Sequence, residues 1–193
     1  MPALEPSNTY AQSFARGLAV IMTFDEGARS LTLTEVAART DLTRATARRL
    51  LHTLVTLGYA ATDGKHFSLT PKILDLGFAY LSSSEIWRFA EEDLQALAAE
   101  VNESTSISVL DGHDIVYVMR VPTKHILKSA LNVGSRVPAH AISMGRVQLA
   151  ALPERELRSY LASARLQAFT PWTITGPEEL RVAIDRDRAQ GWS

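Results

Sequence analysis

The first sixty residues contain three segments in which hydrophobic side chains recur with the period of an amphipathic helix. The first segment begins after Ser13, a candidate N-cap. The second begins at Thr32, because Thr32 and Glu35 have the spacing of a capping box. The third follows Thr43 and ends at Gly58. Its apolar positions are Ala47, Leu50, Leu51, Leu54 and Leu57. The pattern predicts three helices.

Two short alternating runs follow the third predicted helix, one on each side of Asp63-Gly64. An Asp-Gly pair between such runs is typical of a tight hairpin. Three helices followed by a hairpin predict a winged helix-turn-helix domain over residues 10–70. Pro71 then opens a helix that is apolar around most of its circumference. We therefore predict a linker helix at residues 71–84 that also contacts a partner subunit.

The remaining residues, 85–193, combine helical and strand patterns. A helix from Glu85 to about Val101 precedes two alternating runs that flank Asp111-Gly112, a second predicted hairpin. Ile126–Val133 is a candidate third strand, and Gly134–His140 has the composition of a loop. These patterns predict an α+β domain.

Three helices are predicted after that loop. One lies near Ser143–Ala151, and a second opens at Pro153. The last begins with a capping-box pattern at Thr175–Glu178 and ends at Gly191, a candidate C-cap.

Composition and charge exclude several classes of function. Twenty Lys and Arg against 21 Asp and Glu give a net charge of -1, so any basic surface is local. The absence of cysteine excludes a disulfide framework and a thiolate zinc site, and we expect a cytoplasmic protein. No run of apolar residues suits a signal peptide or a membrane span, so no membrane partner is expected. The five histidines lack metal-ligand spacing and no catalytic motif occurs. We therefore expect no catalytic residue, no metal and no cofactor, and thus no enzyme.

Positive charge concentrates in the third predicted helix, since residues 42–62 contain three arginines and no carboxylate. At 100° per residue, Arg48 and Arg49 fall opposite the apolar stripe, on the face that a recognition helix presents to the major groove. An arginine fork can bind guanine, whereas the start of the helix can hold phosphates. A plain solvated face is the alternative for the helix, as it is for the hairpin tip. The predicted DNA contacts are Thr43, Arg44, Ala45, Thr46, Arg48 and Arg49, with Lys65 and His66 at the tip.

A second constellation surrounds the start of the predicted helix at Ser143. Arg136 and His140 precede first-turn amides that can donate to an anion, and Gly145 allows close approach to the backbone. The alternative is structural, with Ser143 as an N-cap, Arg136 in a surface ion pair and Gly145 required by packing. The predicted effector contacts are Arg136, His140, Ser143, Met144 and Gly145.

Several stretches between residues 10 and 192 carry a family resemblance. They are Ser13–Ile21, Leu33–Ala37, Leu42–Leu51, Leu57–Tyr59, Ser108–Gly112, Ile115–Val118, Arg120–Pro122, Val133–Ala139, Ser143–Val147 and Leu149–Ala150. Together they resemble the IclR family of bacterial transcription regulators, in particular the branch that responds to aromatic acids such as protocatechuate and 4-hydroxybenzoate. Two positions depart from the family pattern: Asp41 replaces a usual Gly, and Gln148 replaces a usual apolar residue.

The resemblance implies a winged helix-turn-helix, a linker helix and a GAF-like effector domain whose C-terminal part is missing at 193. It implies a homodimer or tetramer that binds double-stranded operator DNA, with a small organic acid controlling its operator binding or its docking with RNA polymerase. We expect the ring of an aromatic effector to lie against Ile107, Val109 and Val118. Two alternatives stay open. One is the same regulator answering a non-aromatic acid such as glyoxylate, and the other is a small-molecule-binding or catalytic α+β domain whose helix-turn-helix serves only dimerisation.

Overall fold

The structure is a computed structural model with an α+β fold, and it forms two compact units, Met1–Ser83 and Ser84–Ser193. It describes residues 9–83, 85–122 and 131–193, with the backbone alone at 85–89. The finer division of the chain into three segments stays a prediction. Within the described ranges, no helix has the length and apolar character needed to cross a membrane.

The first unit combines three helices, a small antiparallel sheet and a fourth helix. Its elements are α1 (Gln12–Ile21), β1 (Leu31–Thr32), α2 (Leu33–Thr40), α3 (Arg44–Thr56), β2 (Ala60–Thr62), β3 (His66–Leu69), a 3-10 turn (Pro71–Ile73) and α4 (Leu74–Ser82). Strand β3 lies between β1 and β2 and pairs with both. The core between the helices and the sheet is formed by buried side chains that include Val20, Val36, Leu51 and Phe67. The predicted winged helix-turn-helix is confirmed.

Side-chain caps fix where the helices of this unit begin. The Thr32 hydroxyl accepts a hydrogen bond from the Glu35 amide, and the Thr32 amide donates to the Glu35 carboxylate, which completes the predicted capping box. Thr43 caps α3 by accepting from the Thr46 amide. The first predicted helix is present, but its predicted N-cap is wrong, because α1 begins one residue before Ser13, without a side-chain cap. The short strand β1 is also absent from the sequence prediction.

The second unit packs helices on a three-stranded antiparallel sheet of order β4-β5-β6. Its elements are α5 (Glu85–Val101), β4 (Thr105–Asp111), β5 (Asp114–Val121), β6 (Arg136–Pro138), a 3-10 turn (Ala139–Ala141), α6 (Ser143–Ala150), α7 (Glu154–Ser163) and α8 (Pro177–Gln190). Ile115 and Tyr117 of β5 are buried against Leu149, Leu157 and Leu180 from the three last helices.

Two predictions for this unit are corrected by the structure. The predicted loop at 134–140 contains strand β6, which pairs with Asp114–Val116. The candidate strand Ile126–Val133 lies mostly outside the described residues, and its last three residues form no strand. At α8 the N-cap is Gly176 rather than Thr175, whereas Gly191 ends the helix in the predicted left-handed conformation, with φ 81°.

Candidate nucleic-acid interface and anion site

The exposed face of α3 carries the predicted DNA contacts. Arg44, Ala45, Arg48 and Arg49 are exposed, whereas Ala47, Leu51 and Leu54 on the other side of the helix are buried. The structure therefore brings the three arginines of α3 onto the side of the helix that faces away from the core. Thr43 and Thr46 lie at its start, where their hydroxyl oxygens are 3.0 Å apart.

The electrostatics of this face favour an anionic partner. In the part of the chain that the structure describes, no carboxylate lies within ion-pair distance of Arg44, Arg48 or Arg49, although ten ion pairs occur elsewhere in it. The N-terminus of a helix adds a positive partial charge. The cationic surface is therefore available to a ligand rather than used within the fold.

The hairpin tip next to α3 is organised by a carboxylate. Asp63 accepts hydrogen bonds from the backbone amides of His66, at 2.7 Å, and Lys65, at 2.8 Å. These bonds lower the pKa of Asp63 from 3.8 to about 2. Its second oxygen lies 3.3 Å from His66 Nδ1. The Asp63 carboxylate therefore places a negative charge beside Lys65 and His66, which opposes the DNA contact predicted for these two residues.

At the start of α6, backbone packing explains the glycine. A Cβ added to Gly145 would lie 2.5 Å from Ala139 Cα and 2.6 Å from its carbonyl carbon. The Gly145 amide donates to the Ile142 carbonyl oxygen at 3.1 Å. The prediction that this amide is free to bind an anion is therefore wrong, and Gly145 has the packing role of the structural alternative. Ser143 does not cap the helix, because the N-cap residue is Ile142.

Arg136 and His140 also have partners within the protein. Arg136 forms an ion pair with Asp111, at 2.8 Å, and a longer one with Asp114, at 3.4 Å. The hydrogen bond with Asp111 raises the pKa of the Arg136 guanidinium. His140 is buried, and its Nε2 lies 3.0 Å from the Gln167 carbonyl oxygen. Their role as effector contacts stays a prediction.

Two of the strand residues expected to hold an aromatic ring, Ile107 and Val109, lie on one face of the sheet. The hydroxyl of Thr105 on β4 donates to the Leu94 carbonyl oxygen of α5, whereas Ser108 contacts Gln148 of α6. Alternation along β4 therefore places Ile107 and Val109 on the α5 side. Ile107 and Val109 therefore face away from α6, and the ring contact expected of them and of Val118 stays a prediction.

Two polar contacts of α6 were not predicted. Gln148 Nε2 donates to Ser108 Oγ at 2.6 Å, and Arg146 Nε donates to the carboxylate of Asp187 at 3.0 Å. The Asp187 side chain is completely buried. The signal for Gln148 was present in the sequence as a polar residue at a usually apolar position, whereas Asp187 has no local signal because its partner is distant in the chain.

Across residues 9–83, 85–122 and 131–193, no group of three or more His, Asp or Glu side chains could hold a metal ion.

Comparison with known proteins identifies both units. Residues 13–64 match the model of the IclR helix-turn-helix domain, and residues 78–193 match that of the bacterial transcriptional regulator IclR C-terminal region. The Pca regulon regulatory protein of Pseudomonas putida is 45% identical over 184 residues, which cover 95% of this chain. This chain spans 63% of the length of that relative.

Solved structures give the same assignment. A protein from Rhodococcus sp. RHA1 is 52% identical, with a TM-score of 0.83 over 94% of this chain and 73% of that one. An IclR homologue from Microbacterium hydrocarbonoxydans, in complex with 4-hydroxybenzoate, is 25% identical, with a TM-score of 0.76 over 93% of this chain and 75% of that one. The second model match alone covers more than half of the chain. The chain therefore belongs to the IclR family of bacterial transcriptional regulators.

Proposed function

We propose that this chain is a DNA-binding transcriptional regulator whose operator binding responds to a small organic acid. The observation that carries the proposal is the exposed arginine face of α3, which has no carboxylate partner among the described residues. Arg48 and Arg49 read base edges, and the residues at the start of the helix hold phosphates. These residues are Thr43, Arg44, Ala45 and Thr46. Lys65 and His66 contact the phosphate backbone of the DNA beside the recognition helix.

The test is a selection of DNA from a random pool, followed by affinity measurements at several salt concentrations. We expect Arg48→Ala to cost about 1–3 kcal/mol on the selected DNA and to weaken the preference over scrambled DNA. Arg165→Ala is the matched control, because Arg165 is also exposed but belongs to the second unit. Equal affinity for selected and scrambled DNA in the unmodified chain would contradict the proposal.

Self-association belongs to the same proposal. Leu74, Leu76 and Phe78 of α4 are exposed, and an apolar groove of about 740 Å³ runs between α1, α3 and α4. A second copy of the chain would cover the exposed face of α4 and the α1 side of this groove, which leaves Thr46 and Arg49 of α3 free for DNA, and two recognition helices would then bind two half-sites. Leu74→Glu with Phe78→Glu should give a monomer in sedimentation velocity that binds DNA weakly. An unmodified chain that sediments as a monomer would refute the homodimer and the tetramer alike.

The effector in this proposal is an aromatic acid such as 4-hydroxybenzoate. Its support is the family membership and the relative solved with that compound. We place the acid at the start of α6, where Ser143 is exposed and Met144 is half-buried. Arg136, His140 and Gly145 border the same place, but their contacts within the protein make them poor first targets for mutation.

Calorimetry with 4-hydroxybenzoate tests the effector, with benzoate and glyoxylate as competitors. Met144→Trp should weaken binding of the aromatic acid by filling the space beside the helix start, whereas DNA affinity without the acid stays unchanged because α3 belongs to the other unit. Binding of glyoxylate instead of either aromatic acid would assign the protein to the other branch.

A further inference from the structure

The chain that follows the end of the recognition helix α3 carries three backbone carbonyl groups that accept hydrogen bonds from outside the helix. The helix ends at Thr56, and Gly58, with φ +80°, turns the chain toward β2. The amides of Gly58 and Tyr59 donate back to Val55 and Leu54. The carbonyl groups of Leu57, Gly58 and Tyr59, which follow the last residue of the helix, have no donors within α3 itself because the helix has ended.

Thr70 and Lys72, one on each side of Pro71 where the linker begins, bind these three carbonyl groups in turn. Lys72 Nζ donates to the Leu57 oxygen at 2.8 Å, and Thr70 Oγ1 donates to the Gly58 oxygen at 2.6 Å. The Thr70 amide donates to the Tyr59 oxygen at 2.9 Å. Lys72 Nζ also lies 5.0 Å from the centroid of the Tyr59 ring, which is a cation–π distance. We call Thr70 and Lys72 the linker clamp.

The chain between the linker clamp and α4 is stiff. Pro71 opens the 3-10 turn, and its ring fixes the backbone at that position. The Ile73 amide donates to the Thr70 carbonyl oxygen at 3.1 Å, and Ile73 already has helical dihedral angles, φ -61° and ψ -25°. The direction of α4 therefore follows from how Thr70 and Lys72 hold the end of α3.

We propose that the linker clamp sets the angle between the recognition helix and the linker helix, and thereby the spacing of half-sites that a dimer can bind. The inference rests on the proposed function, in which α4 forms part of the dimer contact. Helix α4 has nine residues, hence a length of about 13 Å. A tilt of roughly 20° at the clamp moves its far end by about 4 Å, which exceeds the rise of one base pair, about 3.4 Å.

The experiment compares DNA sites that differ only in spacing. DNA is first selected with the unmodified 193-residue chain, and versions with one or two base pairs inserted or deleted between the half-sites are then made. Affinities are measured for the unmodified chain and for Thr70→Val with Lys72→Met, which together remove the two side-chain hydrogen bonds. The affinity of the unmodified chain should fall by about tenfold or more when the spacing changes. The affinity of the double variant should fall by less than about threefold, because its recognition helices can adjust their separation to the new spacing.

Three controls separate the clamp from general damage. Lys65→Met removes the same charge at the hairpin tip, so it should lower affinity at all spacings and leave the spacing ratio intact. Lys72→Arg keeps a hydrogen-bond donor and a cation, so it should show the same ratio of affinities between spacings as the unmodified chain. Affinity for a single half-site should be the same in the double variant and the unmodified chain. If the double variant fails to fold, Lys72→Met alone decides, because that side chain lies at the surface.

Each outcome decides between the two proposals. A double variant, or Lys72→Met in its place, that keeps the spacing ratio of the unmodified chain overturns the linker clamp. An unmodified chain that binds all spacings equally overturns it as well, while leaving DNA binding intact. Failure of the unmodified chain to enrich any DNA contradicts the proposed function itself.

Discussion

Replacing Gly145 by alanine should make the second unit less stable, although alanine is the better helix former. A Cβ at this position would lie 2.5 and 2.6 Å from two backbone atoms of Ala139, whereas ordinary contacts are 3.4–4 Å. The backbone at Ala139 would have to withdraw by about 1 Å. Ala139 is fully buried, and its amide donates to the His113 carbonyl oxygen. The neighbouring His140 is held by Gln167. A shift would therefore break contacts on both sides of the 3-10 turn.

The magnitude follows from two opposing terms. Overpacking a close-packed interior costs about 1–3 kcal/mol, and this site is at the upper end because backbone rather than a side-chain tip must move. Alanine recovers about 0.5–1 kcal/mol of backbone entropy in a helix. We expect a net loss of about 2 kcal/mol in the free energy of unfolding, which lowers Tm by roughly 5–10 °C.

Gly77→Ala is the matched control, since Gly77 lies within α4 and a Cβ there has nothing within 4 Å. It should stabilise the first unit by about 0.5–1 kcal/mol. Calorimetry measures both transitions, and tryptophan fluorescence assigns the lower one, because all three tryptophans belong to the second unit. If Gly145→Ala is as stable as the unmodified chain, the packing explanation is refuted and the ligand-approach hypothesis for Gly145 regains its support.

Two further predictions concern carboxylates. Asp187→Asn should lower the free energy of unfolding by about 2–4 kcal/mol, because it leaves the partly buried Arg146 facing a neutral group. Asp111→Asn, at the exposed pair with Arg136, should lower it by less than about 1 kcal/mol. Urea unfolding of the two variants measures the difference. Asp63, with a pKa lowered from 3.8 to about 2, stabilises the hairpin above its unfolded pKa and loses that contribution as the pH falls toward 2. A carboxyl NMR titration with a midpoint near 3.8 would contradict this.

The winged helix-turn-helix was predictable because its signals are local. The capping box at Thr32 and the N-cap at Thr43 act within three residues, and the Asp-Gly hairpin lies within a turn. Asp41 replaces a usual glycine and adopts the left-handed conformation, with φ 52°. Strand β1 escaped prediction because it has two residues, and its pairing with Phe67 and His66 is distant in sequence.

The second unit was less predictable because its pairings are not local. Strand β6 ends in Pro138, and the composition of its neighbours is that of a loop. Its strand geometry depends on hydrogen bonds to β5, which lies about twenty residues earlier in the chain. The buried Asp187 likewise depends on Arg146, 41 residues away. No local periodicity encodes contacts of this kind.

The predicted effector contacts show why residue types alone do not decide between a binding role and a structural role. An arginine and a histidine before a helix, with a glycine in its first turn, are what an anion site needs, and they also occur at a tightly packed helix start. Hydrogen-bonding capacity already used by the fold is costly to redirect to a ligand. Arg136 and His140 use theirs on Asp111 and Gln167. Gln148 differs, because its amide nitrogen binds Ser108 while its carbonyl oxygen is an additional acceptor. A ring hydroxyl can donate a hydrogen bond to this oxygen. If the proposed effector is an aromatic acid, we expect selectivity among such acids to depend on Gln148 more than on the loop before α6.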